Sequence, residues 1–122
     1  MKKLLLLIAV AALVVAGPAD AKAPALTGYV GPGFSITLLK GTKKVTTITA
    51  GTYRLVIFDK SKIHNFHLMG PGRKGYDKVL TTVPYLGKKV VPGTITLTPG
   101  RWTYVCDPHA STMHGSFRVT RR

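Results

Sequence analysis

The chain has 122 residues, with 18 Lys and Arg against four acidic residues, so its formal net charge is +14 at pH 7. This length suits one domain with a single hydrophobic core, and the positive charge favours an anionic partner. All four acidic residues are Asp, which leaves no suitable acid/base pair, and we therefore do not expect an enzyme. The basic residues are scattered along the chain, which argues against a nucleic-acid-binding protein.

The beginning of the chain has the pattern of a secretory signal peptide. A basic start precedes an apolar run over residues 4–16, and an A-x-A cleavage site ends at Ala21. The run is shorter than the roughly twenty residues that cross a bilayer, which disfavours an uncleaved membrane anchor. We therefore predict a signal peptide over residues 1–21 and one exported domain over residues 22–122, in the periplasm or outside the cell. An exported protein does not meet chromosomal DNA.

The rest of the chain shows the alternation and turn spacing of short β-strands, with no helical periodicity. Residues 28–33 are turn material, because glycine and proline break regular structure, and residues 84–89 are expected to be irregular. Segments with strand character cover residues 34–38, 45–49, 53–58, 63–69, 78–83, 94–97, 101–106 and 116–120. Seven to eight short strands of this kind indicate an all-β sandwich or barrel.

Aromatic side chains supply much of the predicted core, and five of them are assigned to it: Phe34, Tyr53, Phe58, Trp102 and Phe117. Period-two alternation places Trp102, Tyr104 and Cys106 on one face of a strand. Because the two aromatic residues belong to the core, the thiol of Cys106 should point inward at the end of that strand.

Cys106 is the only cysteine, so it cannot form a disulfide within the chain, although export usually favours disulfides. Three interpretations are open for the residue alone: a buried structural thiol, an intermolecular disulfide, and metal ligation. Its neighbours favour the third. His109 follows on a tight loop, and Met113 offers a thioether on the far side of that loop. Soft sulfur beside imidazole is the combination that copper prefers.

Two histidines and one cysteine in a trigonal set, with a weak axial methionine, define a blue copper site. The loop supplies Cys106, His109 and Met113, so a second imidazole has to come from elsewhere in the chain. His64 is the best candidate, with Asn65 directly after it.

This set of residues resembles the motif of the cupredoxins, the small blue copper proteins: His64-Asn65 followed downstream by Cys106-x-x-His109-x-x-x-Met113-x-Gly115. The resemblance covers nearly all of the predicted domain and implies a Greek-key β-sandwich or barrel. It also implies one copper ion, cycling between Cu(II) and Cu(I), with four ligands: His64, Cys106, His109 and Met113.

The resemblance also implies roles around the ligands. Asn65 would tie the two ligand-bearing loops together and shield the thiolate of Cys106, which tunes the potential and holds the ligands rigid. The exposed edge of His109 would be the exit route for the electron.

The loop differs from other cupredoxins in one respect. Three residues separate His109 from Met113, where other members have four or two. His114, the immediate neighbour of Met113, could compete as the axial ligand and would make the centre less blue, but the Met-x-Gly ending favours Met113. Alternation places His67 on the strand face opposite His64, so His67 is interpreted as a surface or loop histidine near the site.

Three functions are consistent with these features of the sequence. The first is a single-electron carrier whose positive surface docks an acidic redox partner. The alternative is a copper-binding module that stores or delivers the metal without a dedicated redox partner. The third is a cationic binding domain in which Cys106 is structural. The positive charge also suits contact with an anionic membrane surface.

Overall fold

The computed structural model describes residues 23–121 of the chain. The predicted signal peptide over residues 1–21 lies outside this part, and its assignment stays a prediction. Within residues 23–121, no helix is long and apolar enough to span a bilayer.

The described residues form eleven β-strands and one 3₁₀ turn. The strands are β1 Ala25–Val30, β2 Ile36–Lys40, β3 Lys43–Lys44, β4 Thr47–Thr49, β5 Gly51–Asp59, β6 Phe66–Met69, β7 Asp77–Thr81, β8 Gly87–Val90, β9 Ile95–Leu97, β10 Gly100–Val105 and β11 His114–Thr120, with the 3₁₀ turn Asp107–His109 between the last two.

The strands build two sheets. The first has the order β3-β2-β1-β5-β8, with β9 also paired to β5, and the second has the order β4-β11-β10-β6-β7. The pairs β1–β5 and β4–β11 are parallel, and the other pairs are antiparallel. Because consecutive strands repeatedly cross from one sheet to the other, the two sheets enclose one core. The predicted all-β sandwich is confirmed.

The core follows from strict alternation on the central strands. Along β5 the side chains of Tyr53, Leu55 and Ile57 are buried, while those between them face outward. On β10, Trp102 and Tyr104 are buried, as predicted. Every second side chain of a strand points to the same face, so these strands carry their apolar residues between the sheets. The aromatic rings pack directly on one another: the ring centroids of Phe66 and Tyr104 lie 5.6 Å apart, and those of Trp102 and Phe117 lie 6.2 Å apart.

The structure has more strands than the sequence predicts, and β1 accounts for the most important difference. The prediction of a turn over residues 28–33 is wrong at its start, since Gly28 lies within β1, in the middle of the first sheet. A Cβ atom at Gly28 would lie 2.7 Å from Cδ1 of Ile57 and 2.8 Å from Cε2 of Phe66. Packing of the core, and not a turn, therefore explains this glycine. The expectation of irregular structure over residues 84–89 is wrong in its second half, because Gly87–Val90 form β8 and pair with β5. The sequence does not predict the short strand β3 either.

Two of the five aromatic assignments are wrong. Phe34 precedes the first residue of β2 and is 63% exposed. Phe58 lies on the outer face of β5 because the inward positions are taken by its neighbours Ile57 and Asp59. Its ring stacks on that of Tyr29 with the centroids 5.1 Å apart. The other three assignments are confirmed, since Tyr53, Trp102 and Phe117 are buried.

Candidate metal centre

The loop after β10 is closed by its own backbone hydrogen bonds. Cys106 follows the last residue of β10, and the 3₁₀ turn that begins with Asp107 carries His109 back towards it. The Cys106 N–H donates to the Met113 carbonyl at 2.9 Å, the His109 N–H donates to the Cys106 carbonyl at 3.0 Å, and the Met113 N–H donates to the His109 carbonyl at 2.8 Å. These three bonds fix the backbone of the loop between two paired strands.

His64 is held at the end of the loop that leaves β5. Its N–H donates to the Ser61 carbonyl at 3.3 Å, and its side chain is fully buried. Its Nε2 atom lies 3.0 Å from the carbonyl oxygen of Gly33. Because a carbonyl only accepts, Nε2 carries the proton, and the lone pair of the neutral ring is at Nδ1. The unprotonated nitrogen of His64 is therefore free for another partner.

That nitrogen faces the other two donors. Nδ1 of His64 lies 3.0 Å from Nδ1 of His109 and 3.6 Å from Sγ of Cys106, and Sγ of Cys106 lies 3.5 Å from Nδ1 of His109. In the described residues, these three side chains form a group that could hold a metal ion. The point equidistant from the three atoms lies about 2 Å from each of them, close to the bond lengths that His nitrogen and Cys sulfur make to a metal.

Met113 and His114 differ sharply in their surroundings. Met113 is fully buried at the end of the loop, whereas His114 is exposed at the start of β11. Nδ1 of His114 donates to the Ala110 carbonyl at 2.8 Å. The structure thus brings Met113 into the interior beside Cys106 and turns His114 outward.

Asn65 joins the two loops that carry the donors. Its Nδ2 group donates to Oδ2 of Asp107 at 2.8 Å, and its Oδ1 atom accepts the Asp107 N–H at 2.7 Å. Both halves of the amide are therefore bound to the residue that follows Cys106. This is the tie between the loops that the resemblance to the cupredoxins implies for Asn65.

His67 lies outside the donor group. It is on the face of β6 opposite to the buried Phe66 and Leu68, as alternation predicts. Its Nδ1 atom lies 3.0 Å from Oδ1 and 3.1 Å from Oδ2 of Asp107, and its Nε2 atom is hydrogen-bonded to Oδ1 of Asp77. Burial lowers the pKa of His67, but the hydrogen bonds and charges of Asp107 and Asp77 outweigh that effect and raise it above the ordinary value. Burial in turn acts to raise the pKa of Asp107, yet its bonds to His67 and Asn65 leave that pKa lowered.

Asp59 closes the same region from β5. It is almost fully buried, and its Oδ1 atom accepts the Ser61 N–H at 3.2 Å. Burial raises the pKa of Asp59, against the lowering effects of the neighbouring Thr81, of the hydrogen bond from the Ser61 N–H and of the nearby His64. Asp59 thereby fixes the first turn of the loop that ends at His64.

Phe34 covers the two histidines from outside. Its ring meets the His109 ring edge to face, with centroids 5.0 Å apart, and meets the His64 ring at 5.5 Å. His109 is only half-buried. Residues 31–34 therefore supply both a carbonyl that orients His64 and an aromatic ring that packs on both imidazoles.

Five contributors to this region are not assigned to it from the sequence: Gly33, Phe34, Asp59, Asp77 and Asp107. A role of Asp107 at the site could be predicted from the sequence, since it directly follows Cys106 in a chain with few acidic residues. Gly33 acts through its backbone carbonyl, which every residue type possesses. No residue pattern marks such a group.

The chain matches no protein-family model, and no curated protein matches it by sequence. Solved structures do resemble it. A structure of the copper protein rusticyanin has a TM-score of 0.53 and 20% identity over 79% of this chain and 76% of that one. Rusticyanin from Thiobacillus ferrooxidans gives a TM-score of 0.52 and 23% identity over the same shares.

The fold of this chain is thus the cupredoxin fold, as the resemblance in its sequence implied. The donor group of His64, Cys106 and His109, with Met113 buried beside it, fits a type 1 copper site in its chemistry.

Proposed function

We propose that this protein is an exported carrier of single electrons with one copper ion, bound by His64, Cys106 and His109 and by Met113 as a weak axial ligand. The observation that supports this most strongly is the convergence of the three donor atoms, which lie 3.0 to 3.6 Å from one another. Copper would supply one-electron exchange between Cu(II) and Cu(I). A thioether beside a thiolate favours copper over metals that prefer oxygen ligands.

The scaffold suits electron transfer because it leaves the donors little freedom to move. Cys106 and His109 are fixed by the backbone bonds of their loop, and the ring of His64 is oriented by the Gly33 carbonyl. A ligand that cannot rotate changes little when the oxidation state changes. The energy needed to rearrange the ligands during electron transfer is therefore small.

The electron would leave near His109. Phe34 is 63% exposed, and its ring lies directly against His109. We assign the exposed Phe34 ring as the place where the redox partner makes contact. An aromatic ring that is exposed and packed on a ligand offers a short path between the two proteins.

The charge of the chain indicates an acidic partner. The net charge of +14 already counts the Asp residues, and in the described residues none of the three Asp is an unpaired charge at the surface. Asp59 is buried, while Asp77 and Asp107 are bound to His67. The remaining positive field would attract an acidic redox protein, in a weak encounter that salt screens. The same field suits an anionic membrane surface, and the predicted signal peptide would deliver the protein to the periplasm or beyond the cell.

The visible spectrum of the copper-loaded protein tests the proposal. We expect an intense thiolate-to-copper band at about 600 nm, its loss in Cys106→Ser, and its retention in the control His114→Gln, because His114 is exposed and bound to Ala110. Copper content near zero after loading would instead leave a cationic binding domain.

Copper exchange separates a carrier from a storage or delivery module. A carrier should retain copper in both oxidation states when a Cu(I) chelator is added. Rapid transfer of Cu(I) to the chelator, with Cu(II) retained, would favour delivery and would contradict electron transport as the main role.

A further inference from the structure

We propose that His67 is a positioning residue for the loop from Cys106 to Met113. By linking Asp77 on β7 to Asp107, it holds Asp107, the first residue of the 3₁₀ turn, in place. The inference rests on the proposed copper function for its biological meaning. The bridge itself belongs to the protein alone and can be measured without metal.

The bridge is built from contacts on both sides of one imidazole. Nδ1 of His67 lies 3.0 Å and 3.1 Å from the two carboxylate oxygens of Asp107, and Nε2 is hydrogen-bonded to Asp77. A carboxylate oxygen accepts from a ring N–H, and each of the two ring nitrogens faces a carboxylate from a different element. Charge-assisted bonds of this kind are about twice as strong as neutral ones.

Asp107 is the point where this bridge meets the copper site. It directly follows Cys106 and begins the 3₁₀ turn that ends at His109. Asn65 holds its N–H and one carboxylate oxygen, at 2.7 and 2.8 Å, and His67 holds the carboxylate from another direction. Fixing Asp107 from two sides fixes the backbone between the two donors of the loop.

The distribution of acids in the chain shows how specific this arrangement is. The described residues contain three Asp and no Glu, among many Lys and Arg. Two of these three acids are bound to His67. Many Lys and Arg side chains could pair with Asp77 and Asp107. Both carboxylates are bound instead to His67, which lies three positions after the proposed ligand His64. Their sites on β7 and on the loop make His67 the link between two elements that are not paired to each other.

Three variants and one control test the inference. His67→Ala removes the bridge and His67→Gln keeps a single donor group. Asp77→Asn removes only the negative charge at the far end of the bridge, without touching Asn65 or the loop. The control is His114→Ala, an exposed histidine near the loop, which is bound to a carbonyl and to no acid.

The first readout is hydrogen exchange of the Asp107 amide in the metal-free protein, because this N–H reports the bond to Asn65. We expect His67→Ala to speed exchange on the order of ten-fold, Asp77→Asn to speed it less, and His114→Ala to leave it unchanged. The second readout is the rate of copper loss, which we expect to rise on the order of ten-fold in His67→Ala, the lower end of what is seen when groups behind a metal ligand are removed.

The outcomes separate this inference from the proposed function. Unchanged exchange and copper loss in both His67→Ala and Asp77→Asn overturn the bridge, while a normal blue band keeps the copper carrier. Faster exchange in a protein that never turns blue keeps the bridge and overturns the carrier. If His67→Ala does not fold, Asp77→Asn decides, since the Asp77 side chain is 68% exposed and the loss of its charge leaves the core intact. Partial rescue by His67→Gln supports a positioning role.

Discussion

Three loops meet at the donor group, and two of them, apart from the loop that ends at His64, are built in different ways. The loop from Cys106 to Met113 supplies two of the three converging donors and is closed by bonds within itself. The loop over residues 31–34 supplies no donor, but it orients His64 through the Gly33 carbonyl and covers both imidazoles with Phe34. The first loop carries the donor atoms of Cys106 and His109. The second loop restricts the orientation of the His64 ring and the access of solvent to both imidazoles. A site of this kind therefore depends on residues that carry no metal-binding chemistry.

The largest effect should come from a single methyl group just after the first loop, at Gly115 on β11. A Cβ at Gly115 would clash with Cζ and the hydroxyl oxygen of the Tyr104 ring, and Tyr104 is fully buried opposite Gly115 in the strand pair β10–β11. Because the ring has no room to move, we expect Gly115→Ala to lower the free energy of unfolding by about 3 kcal/mol. Chemical denaturation of the metal-free protein measures this.

The second loop provides the matched control. No heavy atom lies within 4 Å of the place that a Cβ at Gly33 would take, so Gly33→Ala should change the free energy of unfolding by less than about 0.5 kcal/mol. Equal losses in the two variants would show that crowding by Tyr104 is not the reason for Gly115.

The two loops also differ in how far the sequence reveals them. Cys106, His109 and His64 could be predicted because few residue types bind copper and their spacing is distinctive. The strand face of Trp102 and Tyr104 followed from alternation alone.

Gly28 shows why other positions could not be predicted. A glycine in a strand and a glycine in a turn look the same in the local sequence. Only the close approach of Gly28 to Ile57 and Phe66, both distant in the chain, distinguishes the two. Phe34 was assigned to the core for a similar reason, because the histidine rings that it covers lie far along the chain.

The same reasoning applies to His67. Its position on the outer face of β6 was predictable, but its partners Asp77 and Asp107 come from two other elements. Pairings of this range depend on the tertiary fold and leave no periodic signal in the chain.

The next largest effect should come from Asn65, which ties the first loop to the loop of His64. Asn65→Ala removes two hydrogen bonds and leaves the Asp107 N–H without that partner, so we expect a loss of about 2 kcal/mol in the free energy of unfolding. Thermal and chemical unfolding of the metal-free protein check it. Thr112→Ala, which removes an exposed bond from Thr112 to the His109 carbonyl, is the control and should cost less than about 0.5 kcal/mol. A larger loss for Thr112→Ala would place the main tie of the loop elsewhere.

A smaller effect is expected from pH, through the bridge at His67. The pKa of His67 is raised in the folded protein, so its stabilisation is complete below the ordinary value of 6.5 and is lost as the pH rises through the folded pKa. The pKa of Asp107 is lowered, so its stabilisation is complete above the ordinary value of 3.8 and is lost as the pH falls through the folded pKa. The difference in the free energy of unfolding between the wild type and His67→Gln should therefore be largest between pH 3.8 and pH 6.5.

That difference should not exceed about 1 kcal/mol, because the Asp77 and Asp107 carboxylates are well exposed to solvent. Asp59 titrates in both proteins and cancels in the comparison. Unfolding measured across the pH range tests it, and a difference that is flat from acid to alkaline pH would contradict a charged bridge.

The smallest effect on stability, and the clearest one on function, is expected from Phe34 in the second loop. Because Phe34 is 63% exposed, Phe34→Ala should change the free energy of unfolding by less than about 0.5 kcal/mol. Electron self-exchange between the Cu(I) and Cu(II) forms, measured by NMR line broadening at high salt to screen the like charges, should slow about ten-fold, equivalent to about 1.4 kcal/mol of lost contact. Val90→Ala is the matched control, since Val90 is also 63% exposed but lies on the edge strand β8. If both variants exchange electrons at the wild-type rate, the electron reaches His109 without the ring of Phe34, and the second loop serves only to orient His64.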